Sequence, residues 1–254
     1  MSRPDGQAAG RASELHYLEV SIIDRNPAGP EEVSVAVSTL PVLPLNAVLL
    51  PGTSMSLRIF EERYLRLLAD RATDDVVFSV ARITHGREVG GEAEFDLTGT
   101  TARLSTISAV SKRLIEIVVS GGERVALSNV DWSHGYAVAD TTPLPDLPYD
   151  ETVTLASAGK RVKEFGRLLN LASQFIRGEF PLPITTIDPE ETSYEIARWL
   201  PLSVREQQEL LDERDPAARL DYIGRIIHRE RRLITRGGVA AYPLPNPGSS
   251  FGLN

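Results

Sequence analysis

Cysteine is absent, which excludes disulfides, thiolate metal sites and a cysteine nucleophile in any compartment. Lysine occurs only at Lys112, Lys160 and Lys163, so arginine carries nearly all the positive charge. No apolar run reaches the roughly 18 residues that a membrane span needs, and Met1 to Arg11 lacks the apolar stretch of a secretory leader. A cytoplasmic protein is expected. The motifs of several enzyme classes are missing too. No G-x-x-x-x-G-K-[ST] loop is available to cradle a triphosphate, and there is no H-E-x-x-H pair and no G-x-S-x-G elbow. The histidines His16, His85, His134 and His228 are isolated from one another, so no metal site and no cofactor are expected. Ser111 and Lys112 are neighbours in a strand-like stretch and would point to opposite faces, which speaks against a serine-lysine dyad. The adjacent carboxylates Glu61-Glu62, Asp74-Asp75 and Glu190-Glu191 are explained by helix starts and turns.

The balance of charge narrows the partners further. A formal net charge of -8 sets a field that repels polyphosphate, and the basic residues are scattered except between Arg225 and Arg236. Nucleic acid is therefore a disfavoured partner. With 42 % hydrophobic residues in a chain of 254, there is ample material for a packed core.

The chain is organised around Leu40 to Asp70. Apolar residues crowd Leu40 to Leu50, Pro51-Gly52 breaks the run, and Met55, Leu57 and Ile59 then alternate with Ser56, Arg58 and Phe60. Two short strands joined at a turn are expected. From Glu61 the period becomes helical through Tyr64, Leu65, Leu68, Ala69 and Ala72, with acidic residues in the first turn where the helix dipole favours them. Upstream, residues 1–13 read as a loose tail, and Glu14 to Asp24 with Glu32 to Thr39 read as a β-hairpin. Downstream, strands are expected at Val76 to Thr84, Asp96 to Thr106, Arg113 to Ser120, Glu123 to Val130 and Tyr136 to Asp140. His85 to Glu94 reads as a glycine-containing loop, and Gly121-Gly122 as a two-residue hairpin turn.

Thr141 to Tyr149 holds three prolines and marks the boundary to a helical part. A helix over Gly159 to Arg177 places Val162, Phe165, Leu169, Ala172 and Ile176 on one face. Asp188-Pro189 with Glu191 has the elements of a helix start, Ser203-x-x-Glu206 is a capping box, and Asp215-Pro216 opens the last helix. That helix turns Leu220, Ile223, Ile227 and Ile234 inward and ends at Gly237-Gly238.

Three of these stretches resemble one family. LPLNAVLLPG followed by LRIFEERY, with Ile59, Phe60, Glu61, Arg63 and Tyr64 matching IFE-x-RY, is similar to the opening of the Lon substrate-binding domain, the amino-terminal domain of Lon proteases. Gly99-Thr100 before Ala102 and Leu104 resembles the G-T-x-A-x-I strand of that domain, with leucine replacing isoleucine. Leu200 to Glu230 resembles its second signature, with Gln208, Leu210, Leu211, Asp215, Arg219 and Leu220 in place and Asp212 where the pattern has glutamate.

The resemblance implies an α+β fold, a PUA-like antiparallel β pseudo-barrel followed by a C-terminal helical bundle. The expected organisation is a tail over residues 1–13, a β-rich part over 14–148 with the resemblance starting at 40, a helical part over 149–238 and a tail over 239–254. It also implies a stand-alone, non-catalytic version without the ATPase and peptidase modules. Such a protein recognises unfolded or exposed polypeptide segments, as an adaptor in protein quality control beside a protease or chaperone. RNA binding through the PUA-like sheet is the alternative. The candidate partner contacts are Phe60 and Arg63 of the signature, and Trp132 and Trp199, because tryptophan is enriched among interface anchors. Partial burial in packing is the other reading of both tryptophans.

Overall fold

The computed structural model describes residues 37–237 apart from 72, 76, 112 and 175–181. The expectations for the two tails, for the hairpin before residue 37, for Lys112 and for Ile176 lie outside the described residues. The element order is β1 (Ser38–Leu45), β2 (Ser54–Ile59), α1 (Glu62–Arg71), β3 (Phe78–His85), β4 (Glu94–Phe95), β5 (Thr98–Ser111), β6 (Leu114–Asp131), β7 (Ala137–Pro143), α2 (Glu151–Ser173), α3 (Pro189–Ala197), α4 (Val204–Asp212) and α5 (Pro216–Gly237). No described helix is long and apolar enough to cross a membrane.

The strands form an α+β pseudo-barrel. The order β1-β7-β6-β5-β3 closes on itself because β3 also pairs with β1. That closing contact is parallel, Val42 to Ser79 through Leu45 to Arg82, while the other strand pairs are antiparallel. Strands in the closed part have side chains buried on both faces, without a break from Pro41 to Leu45 in β1 and from Phe78 to Ala81 in β3. Val42 and Ala81 pack with Val125, Leu127, Ala137 and Ala139, whereas Leu43 and Val80 turn the other way toward α1. On α1 the buried face is Tyr64, Leu67 and Leu68; Ala69 is exposed, one position off the expected stripe.

One reading of the turns requires correction. The strands either side of the Pro51-Gly52 turn are present, and they pair with other strands: β1 joins β3 and β7, and β2 joins β6. The reason lies in Val48 and Leu50, which drop into the helical core while Leu49 enters the sheet core, so the connection stitches two layers instead of turning a hairpin. The reading to correct is Gly121-Gly122, which is not a hairpin turn. β6 runs unbroken from Leu114 to Asp131, pairing with β2 in its first half and β7 in its second. A Cβ on Gly121 would run into the Leu50 carbonyl oxygen, and one on Gly122 would meet Thr101 Oγ1 at 2.5 Å. Gly121 instead exchanges backbone hydrogen bonds with Gly52 and Thr53, at 3.0 and 2.8 Å. These glycines mark close backbone approach within a strand.

The helices start where capping chemistry places them. Asp188 caps α3 with Pro189 at its first position, and Ser203 and Glu206 complete a reciprocal capping box on α4. α2 starts earlier than Gly159 because Asp150 accepts the Val153 N–H and caps it at Glu151. Fully buried Phe165, Leu168, Leu210 and Ile223 fill the helical core, each contributing about 1.5–3 kcal/mol of burial. Gly224 of α5 leaves room for the Arg161 guanidinium of α2, whose Nη1 would lie 2.5 Å from a Cβ there.

Helices and barrel are joined by polar groups. Gln208 donates to the Thr98 carbonyl at 3.2 Å. Arg124 on β6 and Arg219 on α5 converge on Asp146 in the linker between β7 and α2, and Arg124 also reaches Tyr194 Oη and the Leu211 and Glu213 carbonyls. The resemblance residues Gln208 and Arg219 therefore hold the two parts together.

Candidate functional site

The first signature builds one end of the barrel. α1 begins straight after β2, so Phe60, Glu61 and Arg63 fall at a strand-to-helix corner, facing the loop before β4 and the β6–β7 turn. Arg63 donates from Nη1 to the Gly135 carbonyl at 3.1 Å, pairs through Nη2 with Glu61 at 2.9 Å, and lies over the Tyr64 ring at 4.7 Å. Glu61 also accepts the Gly90 N–H at 3.2 Å. Gly90 and Gly135 have φ of 81° and 80°, so glycine is what lets these two turns come this close.

Around these contacts lies a groove of about 350 Å³, with Glu61, Arg63, Gly90, Gly91, Trp132 and Gly135 on its walls. Trp132 forms one wall half-buried, its ring centroid 6.3 Å from that of Phe95. Beside the groove, with Glu61 on both, is an apolar slot of about 30 Å³ between Leu43, Leu45, Leu57, Ile59 and Tyr64. Phe60 and Val89 stand at its mouth, 49 % and 51 % exposed. The slot holds about one water as it stands. Glu88 reaches into it: Oε2 accepts Asn46 Nδ2 at 3.0 Å, Oε1 has no partner, and burial raises the carboxyl above its ordinary value. Burial likewise pushes the Tyr64 hydroxyl up to about 12.

Three of the four residues singled out from the sequence thus come together, Arg63 and Trp132 in the groove and Phe60 at the adjoining slot. Trp199 does not join them. It packs half-buried on the helical core with Arg198 at 5.9 Å from its ring. Sequence reasoning missed Glu61 as the tie between turns, together with Glu88 and Val89. The available signal was the glycines of the loop, Gly86, Gly90 and Gly91, which make a close approach feasible but do not name its target.

A second concavity, about 740 Å³, opens between barrel and helices and carries Glu123, Glu190, Glu191 and Glu195 on its walls. Basic side chains gather on α2 at Lys160, Lys163 and Arg167. Among the described residues no group of three His, Asp or Glu side chains is arranged to hold a metal ion. The arrangement as a whole offers apolar and aromatic surface, turn backbone and a few fixed charges. Those are means of binding.

Comparison with known proteins agrees with this architecture. The family model of the ATP-dependent protease La (LON) substrate-binding domain matches residues 39–229. Lon protease 2 of Myxococcus xanthus is 24 % identical over 198 residues, covering 77 % of this chain and 24 % of that protein. The Lon protease of Brevibacillus choshinensis is 24 % identical over 202 residues, covering 77 % and 25 %. The chain therefore spans about a quarter of the length of the curated relatives it matches. The crystal structure of a Lon N-terminal domain protein from Xanthomonas campestris aligns with a TM-score of 0.55 at 24 % identity, covering 74 % of this chain and 98 % of that one. The N-terminal domain of the Mycobacterium avium complex Lon protease gives 0.54 at 16 % identity, covering 75 % and 98 %. These structural likenesses are likenesses of fold. The family model covers most of the chain and takes in the barrel, the groove and the capped helices, and so this chain belongs to the Lon substrate-binding domain family.

Proposed function

We propose that the chain binds unfolded or exposed polypeptide segments in the groove between Arg63, Trp132 and the Gly90-Gly91 turn, with exposed Phe60 and Val89 beside it packing against an apolar side chain. The carrying observation is the convergence of Phe60, Arg63 and Trp132 on one surface through the contacts of Glu61. An aromatic wall beside backbone groups and one arginine suits a ligand with alternating apolar and amide surface, which an extended polypeptide has. No bond is made or broken on this reading. The chain acts as a cytoplasmic adaptor, presenting segments to a separate protease or chaperone, and matches the substrate-binding region of its relatives and not their peptidase region.

The test is affinity for a reduced, carboxymethylated and therefore unfolded protein against the native form of the same protein. Preferential binding of the unfolded form supports the reading; equal and negligible binding of both sinks it. RNA is the competing ligand. The net charge and the carboxylates of the larger concavity oppose phosphate, and retention of RNA that weakens steeply with salt would reverse this ranking.

A further inference from the structure

β5 and β6 continue together beyond the closed barrel. β3 leaves β5 after the pairs Phe78–Ala102, Ser79–Thr101 and Val80–Thr100, so from Arg103 onward β5 has β6 on one side only. Among the described residues no backbone group hydrogen-bonds to the other side of Ser105 to Ser111. All seven residues are exposed, Ile107 at 51 % and Val110 at 56 %. Their sequence, STISAVS, has no charge, proline or glycine. Exposed edges usually carry a lysine, a proline or a cover, because a bare row of N–H and C=O groups is a template for another strand. Register irregularities at Leu104/Thr106 and Ala109/Ser111 bound a short regular stretch, Thr106 to Ala109.

Charge selects the occupant. The carboxylates near this wing already have partners: Asp75 pairs with Arg103, Glu62 with Arg66, and Glu116 lies 3.8 Å from Arg58. Arg113, at the tip of the β5–β6 hairpin, has no ion pair among the described residues, and its charge is one of those that lower the Glu62 carboxyl. The tip is therefore left positive. A second copy fits this edge badly, because antiparallel pairing centred on Ser108 would bring Arg113 of each copy toward the Arg103–Asp75 pair of the other, whose carboxylate is already taken.

We propose that an extended polypeptide segment adds as a strand to the Ser105–Ser111 edge of β5, with an uncharged, β-branched centre and a carboxylate residue at the end lying toward Arg113. This rests on the polypeptide-binding reading above and names the segment chemistry. The paired row Ile59–Ile115–Ala109 puts Phe60 about two strand spacings, roughly 10 Å, from that edge. One bound segment reaches both. Main-chain hydrogen bonds supply affinity at the edge, and the exposed Phe60 ring meets a side chain further along.

The test uses the full chain and a nine-residue peptide of alternating threonine and valine with aspartate at each end, read by titration calorimetry and amide hydrogen exchange. Binding with new protection of the Thr106–Ala109 amides is expected. N-methylation of alternate peptide amides, and separately Ser108→Lys with an unchanged Tm, should each weaken binding at least tenfold, while Val153→Ala, at an exposed position on α2, stays within twofold. Undiminished binding of the methylated peptide overturns the proposal, as does binding without protection at 106–109. Protection already present without peptide also overturns it, assigning the edge to a second copy if dilution removes it and to the chain itself if dilution does not. If the unfolded protein of the preceding test binds and the peptide does not, the edge proposal alone falls; if neither binds, both fall.

Discussion

Asp146 accepts both terminal nitrogens of Arg219, Nη1 to Oδ1 at 2.6 Å and Nη2 to Oδ2 at 2.5 Å, and its Oδ1 also accepts Arg124 Nη2 at 2.5 Å. The Arg219 side chain is fully buried and that of Asp146 only 10 % exposed. Burial opposes the charge on Arg219, but the Asp146 hydrogen bonds together with the surrounding Tyr194, Asp146 and Glu190 groups more than offset it and hold the guanidinium above its ordinary value. One carboxylate is thus the shared counterion of two arginines that arrive from different layers of the fold.

Removing that carboxylate leaves both guanidinium groups buried without a counterion. Asp146→Asn is expected to destabilise the protein by about 3–5 kcal/mol, read as a lowered urea midpoint, whereas Asp146→Asn combined with Arg219→Met recovers part of the loss. If the single variant unfolds at the wild-type midpoint, the network contributes nothing to stability.

The continuity of β6 predicts a steric outcome. Gly121→Ala brings a methyl group against the Leu50 carbonyl, and neither backbone has a flexible end that can swing aside. A loss of about 1–3 kcal/mol is expected, together with faster hydrogen exchange at Gly52 and Gly121.

Glu206 is paired with Arg229 and accepts the Ser203 N–H at 2.8 Å. Partial burial pushes its carboxyl up, but the Ser203 and Arg229 contacts prevail and hold it below the ordinary value of 4.5. A lowered folded value means stability that is present above about pH 4.5 and lost as pH falls through the folded value. Thermal scans from pH 6 to pH 3 should show a shallower decline for Glu206→Gln than for the wild type.

Glu88 has the opposite sign. Burial raises its carboxyl, so its contribution is complete below the ordinary value of 4.5 and is lost as pH rises through the folded value. Glu88→Gln is expected to raise the denaturant midpoint at pH 7 and leave it unchanged near pH 4. An increase of equal size at both values would show that the charge is not the cause.

Phe60 is half-exposed, so Phe60→Ala should leave stability within about 0.5 kcal/mol. Loss of an anchor typically costs binding more than about 1 kcal/mol, so affinity for unfolded polypeptide should fall roughly fivefold or more. Because Trp132 and Trp199 are the only two tryptophans, Trp199→Phe leaves a single reporter on the groove wall. Its emission should shift on binding.

Much of this molecule was legible along the chain because local chemistry decides it. Asp188-Pro189, Ser203 with Glu206 and Asp215-Pro216 start their helices through bonds spanning three residues or fewer. The alternation of Leu57 and Ile59 selects the buried face of β2 without reference to distant partners. The family signature likewise rests on contiguous residues, and it led to Phe60 and Arg63 before their surroundings were known.

Long-range contacts settled the remainder. A glycine pair reads the same whether it turns a chain or lets another backbone pass close by, and only Leu50, some seventy residues upstream of Gly121, distinguishes the two. Trp132 and Trp199 are alike in sequence, yet one meets Arg63 across the barrel mouth and the other packs on helices. The chain determined its strands, helices and caps, since these follow from side-chain period and nearby hydrogen bonds. Tertiary structure decided which elements meet, hence where the groove and the bare β5 edge lie, because pairing depends on burial and backbone contacts between residues far apart in the chain.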